Sequence, residues 1–360
     1  MINNIRKNVV KYSNLNGVPS RENVIAKELI KDMKKIGDFK FERDNLGSLA
    51  IIKKSKIKDA PTVLISAHMD EVGFLLTSID KNGFGRIQNL GGWWPHVILG
   101  QRFTLTTSNG EKIIGIAGCK PPHLIGSEEI NKIVALKDIY LDFGAESKEE
   151  IEKWGVQIGD MITPYQDSAF VTKNKNRVVG KAHDDRICVV TGIEIMRELA
   201  DKELNVNVIL VGSTQEEVGL RGAKTATYKW TPDIGFAIDV TFCYQTPGMR
   251  DSEVGLGNGV ALGMFDRSVI ANVKLLDSVR EHAKAEKIPF GMDWVQGGTD
   301  SGSIHLTKEG VINMTVSIPC RYLHTHNSVI DVRDSESTAK LLSSYIAKLD
   351  KKTIDKLRFK

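Results

Sequence analysis

The sequence predicts an α/β protein: a largely parallel, helix-covered sheet interrupted by an inserted, mainly β domain. Three observations predict it. The chain opens with a helical apolar pattern followed by short apolar runs. Between about Gly73 and Pro164 it changes to short β-like runs separated by turn residues, and after that strands and helices alternate again to the end. Alternating strands and helices mark a sheet covered by helices, whereas closely spaced short runs mark a β module. A length of 360 residues suits about two domains, each with its own core. The outer segments, 1–67 and 166–360, therefore read as one domain split by the second, 68–165.

Taken in order, the span 22–36 carries Val24, Ile25, Leu29, Ile30 and Met33 at helical spacing, and 49–52 and 62–67 are strand-like apolar runs. Within the insertion, strands are expected at 74–79, 103–107, 112–117, 139–143 and 161–163, with helices only at 127–136 and 148–154. Beyond it come a helix at 187–200, strands at 206–212 and 234–238, a helix at 268–287, a strand at 311–318 and a helix at 335–349. No internal repeat is visible.

Apolar residues at 41% and charged residues at 26% describe a globular chain rather than a disordered or fibrous one. The net charge of +4 is spread over 49 basic and 45 acidic residues, with lysines scattered instead of gathered in a block, so nucleic acid is not an expected partner. The start has no apolar run of the signal-peptide kind and no stretch approaches a membrane span, which leads to the expectation of a cytoplasmic protein with no membrane partner. Cys119, Cys188, Cys243 and Cys320 lie far apart with no Cys-x-x-Cys pair. That usage suits a reducing compartment and argues against a disulfide frame and a thiolate zinc site.

Open α/β sheets bind ligands outside the carboxyl ends of their strands. Four apolar runs here end on groups able to bind metal: 62–67 runs into His68-Met-Asp70, 206–214 into Gln215-Glu216-Glu217, 234–238 into Asp239, and 311–318 toward His324 and His326. His68 and Asp70, two apart, face the same way in an extended segment, so the carboxylate can accept the second imidazole N–H. Asp184 and Asp185 precede the helix at 187; they read either as N-terminal caps or as one carboxylate bridging two cations while its neighbour orients a ligand. Glu216 and Glu217 read either as a solvated pair or as one metal ligand beside one base acting on a water. His324 and His326 are alternatives for one ligand position. Each ordinary reading is sound alone, but all must hold together if metal chemistry is to be rejected. Imidazole plus carboxylate without thiolate suits catalytic zinc, cobalt or manganese.

At these residues the sequence resembles the glutamyl aminopeptidase or TET family of dinuclear metallo-aminopeptidases. The resemblance is carried by Ser66-Ala-His-Met-Asp-Glu-Val-Gly73, Gly180-Lys-Ala-His-Asp-Asp-Arg186, Gln215-Glu-Glu-Val-Gly219, Ala237-Ile-Asp-Val240, Gly297-Gly-Thr-Asp-Ser-Gly-Ser-Ile-His305 and Arg321-Tyr-Leu-His324, in that family's order. Two further blocks, at 118–124 and 138–145, fall in the insertion. The resemblance implies a zinc-peptidase-like mixed sheet flanked by helices with a small β-barrel-like dimerisation domain. It also implies two divalent ions, zinc or cobalt, one held by His68, Asp184 and Asp239 and the other by Asp184, Glu217 and His324. Glu216 would be the general base, Asp70 the partner of His68, and the Asp184–Asp185 peptide cis. Short peptides would be the substrates and a homo-oligomer, often a hollow dodecamer, the assembly. His183, Gln245, His326 and Ser328 depart from the family pattern, and Gln245 and the segment after His324 are expected near the pocket.

Three rivals are considered. Relatives of this family have carried cellulase or endoglucanase labels, so a glycoside hydrolase is one; it would need two opposed carboxylates and sugar-stacking aromatics, and aromatic residues are only 7%. An N-acyl amino acid amidohydrolase with the same metal centre is the second, and a non-catalytic metal scaffold the third.

Overall fold

The computed structural model describes residues 1–359 except Ile125, Ser127 and Glu129. The first segment forms α1 (Ile2–Ser13), α2 (Asn23–Met33), β1 (Lys40–Arg43), β2 (Leu49–Lys53) and β3 (Thr62–His68). The insertion forms β4 (Gly73–Ile79), β5 (Gly85–Leu90), β6 (Arg102–Thr106), β7 (Lys112–Gly118), β8 (Tyr140–Asp142), α3 (Lys148–Lys153) and β9 (Met161–Pro164). Next come β10 (Phe170–Val171), β11 (Arg177–Gly180), α4 (His183–Leu199), β12 (Asn207–Ser213), α5 (Arg221–Trp230), β13 (Ile234–Phe242) and β14 (Val260–Phe265). The chain ends with α6 (Val273–Ala285), β15 (Phe290–Trp294), α7 (Ser301–Ile304), β16 (Ile312–Arg321), β17 (Ser328–Asp331), α8 (Val332–Ala347) and α9 (Lys351–Leu357).

These elements build a mixed sheet in the order β1-β2-β12-β3-β13-β16-β17-β11-β10, with β14 and β15 branching from β16. Only the centre fits the expectation of a largely parallel sheet. Strands β12, β3, β13 and β16 are parallel, while β1, β2, β17, β11 and β10 add antiparallel flanks. The central strands read as unbroken apolar runs because helices cover both faces. Val63, Ile65 and Ala67 of β3 join a large core with α1, α4 and α8, and Leu64 between them joins a smaller one under α5 and α7. Register then sets the level of the strand ends: His68 pairs with Ser213, and Ala237 with Ser66, which brings Asp239 to the height of His68. A slip of one residue would turn every one of these side chains to the other face.

Strands β4-β5-β8-β7-β6-β9 close a barrel. Alternate inward residues fill it, among them Phe74, Leu76, Phe103, Leu105, Leu141 and Ile162, so its interior is side chain and not channel. Two expected helices differ. The helix expected from 268 begins at Val273, because Asp266 Oδ1 accepts from the Ser268 and Val269 amides at 2.6 and 2.9 Å and holds that stretch in a turn, while Asn272 caps α6 through the Leu275 amide. The expected helix at 127–136 includes Ser127 and Glu129, which lie outside the described residues; of its remaining positions only Leu136 enters a helical turn, a short 3₁₀ one over Leu136–Asp138.

Under the centre of the sheet lies a fully buried cation, Arg186. Its Nε donates to the Met69 carbonyl at 2.8 Å, Nη1 to those of Tyr12 and Leu15 at 3.0 and 2.9 Å, and Nη2 to that of Gly17 at 3.3 Å. Glu71 balances the charge. It accepts Lys181 Nζ on both oxygens at 2.7 Å and the Gly17 amide at 3.1 Å, with Arg186 Nη2 at 3.6 Å. One guanidinium thus ties the turn after α1 to the segment following His68. Replacing it, as in Arg186→Leu, takes the guanidinium donor from all four carbonyls, leaving that of Met69 without another among the described residues, and removes one charge facing Glu71. The expected cost is ~3–5 kcal/mol in urea unfolding, with faster amide exchange across residues 12–17.

Candidate active site

Three turns at the carboxyl edge of the sheet aim the side chains that collect there. Ala182 before Asp184 (φ 55°), Gln215 before Glu216 (φ 56°) and His324 itself (φ 55°) all occupy left-handed backbone space. Non-glycine residues held there are concentrated at functional sites. The Asp184–Asp185 peptide is cis.

Asp184 stands between two imidazoles. Its Oδ1 lies 3.0 Å from His68 Nε2 and its Oδ2 3.2 Å from His324 Nε2. Glu217 Oε2 is 3.4 Å from His324 Nε2, while Asp239 Oδ1 and Glu216 Oε2 are 3.9 and 4.0 Å from His68 Nε2. Two donor groups result among the described residues, His68 with Asp184, Asp185 and Asp239, and Asp184 with Glu217 and His324. Asp184 belongs to both. His68, Asp184, Glu217, Asp239 and His324 are all in this cluster, and Glu216 adjoins it.

Backbone carbonyls turn both imidazoles the same way. His68 Nδ1 donates to the Asp70 carbonyl at 3.0 Å and His324 Nδ1 to the Gly92 carbonyl at 2.7 Å, leaving both Nε2 atoms facing the acids. The Asp70 carboxylate stands beside His68, 3.7 Å from its Nδ1, and also accepts the amides of Glu216 and Glu217, each at 3.1 Å. It orders the turn that carries both glutamates, while its main chain holds the imidazole. His326, the alternative to His324, donates from Nε2 to the Arg102 carbonyl and packs on Phe103 and Trp93 of the barrel side.

Burial raises Glu216 and Asp239 well above the usual carboxylate range despite the neighbouring His68, and it pushes Glu217 up to about 7. Asp184 goes the other way: burial alone would raise it, but the hydrogen bonds from His324 and His68 hold it well below the ordinary value. Burial lowers His324, and Glu217 with Asp184 more than reverse this to about 10. So many acids cannot all ionise in one cleft without cations among them. Among the described residues Glu217 Oε1 and Asp185 Oδ1 are buried with no hydrogen-bond partner, the donor set holds nitrogen and oxygen only, and the two Nε2 atoms are pre-aimed. By these marks the residues fit divalent metal ions of the zinc or cobalt type.

The cleft, about 560 Å³, is shared by the two modules. Trp93, Trp94 and Val97 wall it from the barrel side; Phe242, Val295, Thr299 and Leu323 wall it from the sheet side. Gly91 is required at the seam. At φ 84° it already lies in glycine space, and an added Cβ would sit 2.6 Å from Val72 Cγ1 and 3.0 Å from Glu217 Oε2.

Several supporting residues were not singled out from the sequence. Asp300 accepts the hydroxyls of Ser66 and Ser213 at 2.6 and 2.5 Å, tying together the ends of β3 and β12. Glu22 accepts the Gln215 amide at 3.0 Å. Asp300 lies inside the 297–305 block, so its place in a Gly-Gly-Thr-Asp turn was the available signal; Glu22 offered none beyond a helix start.

Mixed sheet, inserted barrel and an acid–imidazole cleft at the strand ends together make a zinc-peptidase type of architecture. The chain belongs to the M42 glutamyl aminopeptidase family, whose model matches residues 47–341. It is 37% identical over 318 residues to the glutamyl aminopeptidase of Lactococcus lactis, covering 88% of this chain and 89% of that one. An aminopeptidase structure from the archaeon Desulfurococcus kamchatkensis superposes with a TM-score of 0.93 at 33% identity, covering 100% of this chain and 99% of that one. The Pyrococcus horikoshii TET1 peptidase, described as able to assemble into a tetrahedron or a large octahedral shell, gives 0.85 at 30% identity over 96% and 100%.

Cobalt or zinc added to chelated protein is expected to raise its melting temperature, by the equivalent of about 2.7 kcal/mol at a hundredfold excess over Kd. Asp184→Asn should remove most of that shift, because Asp184 serves both donor groups. A shift kept in full would put the cations elsewhere.

Proposed function

We propose that this chain is an aminopeptidase that removes N-terminal residues from short peptides with two divalent metal ions, zinc or cobalt. His68, Asp184 and Asp239 would hold one ion and Asp184, Glu217 and His324 the other. The observation that carries the reading is Asp184 set between two imidazoles whose Nε2 atoms lie 3.0 and 3.2 Å from its two oxygens. The chemistry that a bound pair of cations supplies at such a site is Lewis acidity toward a water and the scissile carbonyl.

Glu216 has the place of the general base. It is buried, it adjoins His68 at 4.0 Å, and its main chain is fixed by Asp70. It takes the proton of the attacking water and returns it to the departing amine. Gly92 keeps His324 in one tautomer through the reaction. Trp93 and Trp94 narrow the cleft against bulk water, and its acidic floor favours a free α-ammonium over an acylated terminus. That last point separates the reading from an acyl-amino acid amidohydrolase. A glycosidase has less support, since the carboxylates are committed to imidazoles and backbone amides instead of standing opposed across a sugar-binding groove.

The proposed assembly is a homo-oligomer, with 68–165 as the dimerisation domain. Two things support it: the assembly described for the Pyrococcus horikoshii TET1 peptidase, and an outward barrel face on which Ile114 and Ile116 of β7 are exposed. No helix among the described residues is long and apolar enough to cross a membrane. Four free cysteines support a reducing, cytoplasmic setting.

Aminoacyl anilides should be hydrolysed in a chelator-sensitive manner and their N-acetylated forms should not. Glu216→Gln is expected to lower kcat by about 10²–10⁴ with little change in KM; a loss below about tenfold would move the base to another residue. Paired Ile114→Lys and Ile116→Lys should reduce the mass measured by light scattering. An unchanged mass would locate the subunit contacts on another face.

A further inference from the structure

The turn that delivers His324 carries a second imidazole, His326, which has no part in the donor cluster. Residues 322–327 join β16 to β17, and two of them, Tyr322 (φ 59°) and His324 (φ 55°), occupy left-handed backbone space. Residues with side chains stay there only where their surroundings hold them. The turn's own bonds are few. Thr325 donates its hydroxyl to the Tyr322 carbonyl at 2.8 Å and accepts the Asn327 amide at 3.2 Å, but Tyr322 and Asn327 are exposed and Thr325 is partly so. Of these six residues only His326 is buried, at 6% exposure.

The His326 ring lies against the barrel. Its Nε2 donates to the carbonyl of Arg102 at the start of β6, at 3.1 Å, and its ring meets those of Phe103 and Trp93 edge-on with centres 4.6 and 6.0 Å away. Trp93 is the residue after Gly92, whose carbonyl accepts His324 Nδ1 at 2.7 Å, and it is stacked in turn on Phe74 at 5.0 Å. One short turn is thus tied to the barrel at two carbonyls, those of Gly92 and Arg102. The second tie does not serve the carbonyl that receives it, because Arg102 O already accepts the Tyr165 amide at 3.1 Å. Removing the His326 donor therefore orphans no acceptor on the barrel. What is lost is the tether.

We propose that His326 is a positioning residue for one of the two metal ions: its Nε2–H bond to the Arg102 carbonyl holds the turn so that His324 Nε2 meets Asp184 and Glu217. The inference rests on the two-ion reading of the cleft. Its selectivity follows from the fold. His324 is carried by this turn, whereas His68 and Asp239 stand on β3 and β13, so the tether acts on the ion of Asp184, Glu217 and His324 and leaves the other alone. Groups that orient a ligand from behind typically govern metal affinity by about 10- to 100-fold.

The test is cobalt binding to the metal-free chain, followed by calorimetry and visible absorbance. Two equivalents are expected. His326→Phe keeps an aromatic ring beside Phe103 and removes the donor; it should weaken one binding step by about 10- to 100-fold and leave the other unchanged. His326→Gln, whose side-chain amide can donate to the same carbonyl, should restore most of that affinity. In a Glu217→Gln chain, which lacks a ligand of the His324 site, adding His326→Phe should have no effect on the remaining step. Turnover of aminoacyl anilides by His326→Phe should fall at limiting cobalt and return in excess cobalt with KM unchanged. His326→Ala covers the case in which the larger ring does not fit. Unchanged binding in His326→Phe, equal weakening of both steps, or no rescue by His326→Gln overturns the assignment and leaves the aminopeptidase reading standing. Fewer than two equivalents bound by the unmodified chain overturns the two-ion reading together with it.

Discussion

Shared ownership of Asp184 by two imidazoles is the constraint around which the rest of the cleft is organised. Each Nε2 can face that carboxylate only if its ring is held from behind, and each holding group is main chain: the Asp70 carbonyl for His68, the Gly92 carbonyl for His324. Those carbonyls must themselves be placed. Arg186 fixes the segment at Met69, Asp70 fixes the glutamate turn, and Asp300 locks the ends of two parallel strands. Buried charge is expensive wherever it appears. Here Arg186, Glu71 and Lys181 answer one another, while Asp70 and Asp300 are each held by two donors at the ends of the strands.

Much of this was legible in the sequence because it depends on strand ends. A run such as 62–67 closing on His68, or 234–238 closing on Asp239, places a polar side chain at the carboxyl edge of a parallel sheet whatever the details of packing. The ordered blocks then narrowed the reading to one family. Pairings that depend on distant partners were not legible. Nothing local says that the Asp70 carboxylate also accepts two amides 146 and 147 positions away. The antiparallel flanks escaped for a similar reason. Strand β10 is only two residues long, and β11 and β17 are short and half polar, so none carries an alternation strong enough to separate it from loop. Helix α1, rich in Asn and Lys, shows its apolar face only once Ile5, Val9 and Tyr12 are seen against α4. At residue 268 the helical pattern was real but lost to the Asp266 turn, a local competition that periodicity does not weigh.

The Gly91–Gly92 seam makes two events that look separate into one thermodynamic cycle. His324 owes its ring orientation to a carbonyl that travels with the barrel, not with the sheet that carries His324. Occupancy of the donor cluster and docking of the barrel are therefore linked functions. Whatever fills the cluster favours the docked barrel, and by reciprocity a partner that binds the docked barrel better than the undocked one tightens the cluster by the same coupling free energy.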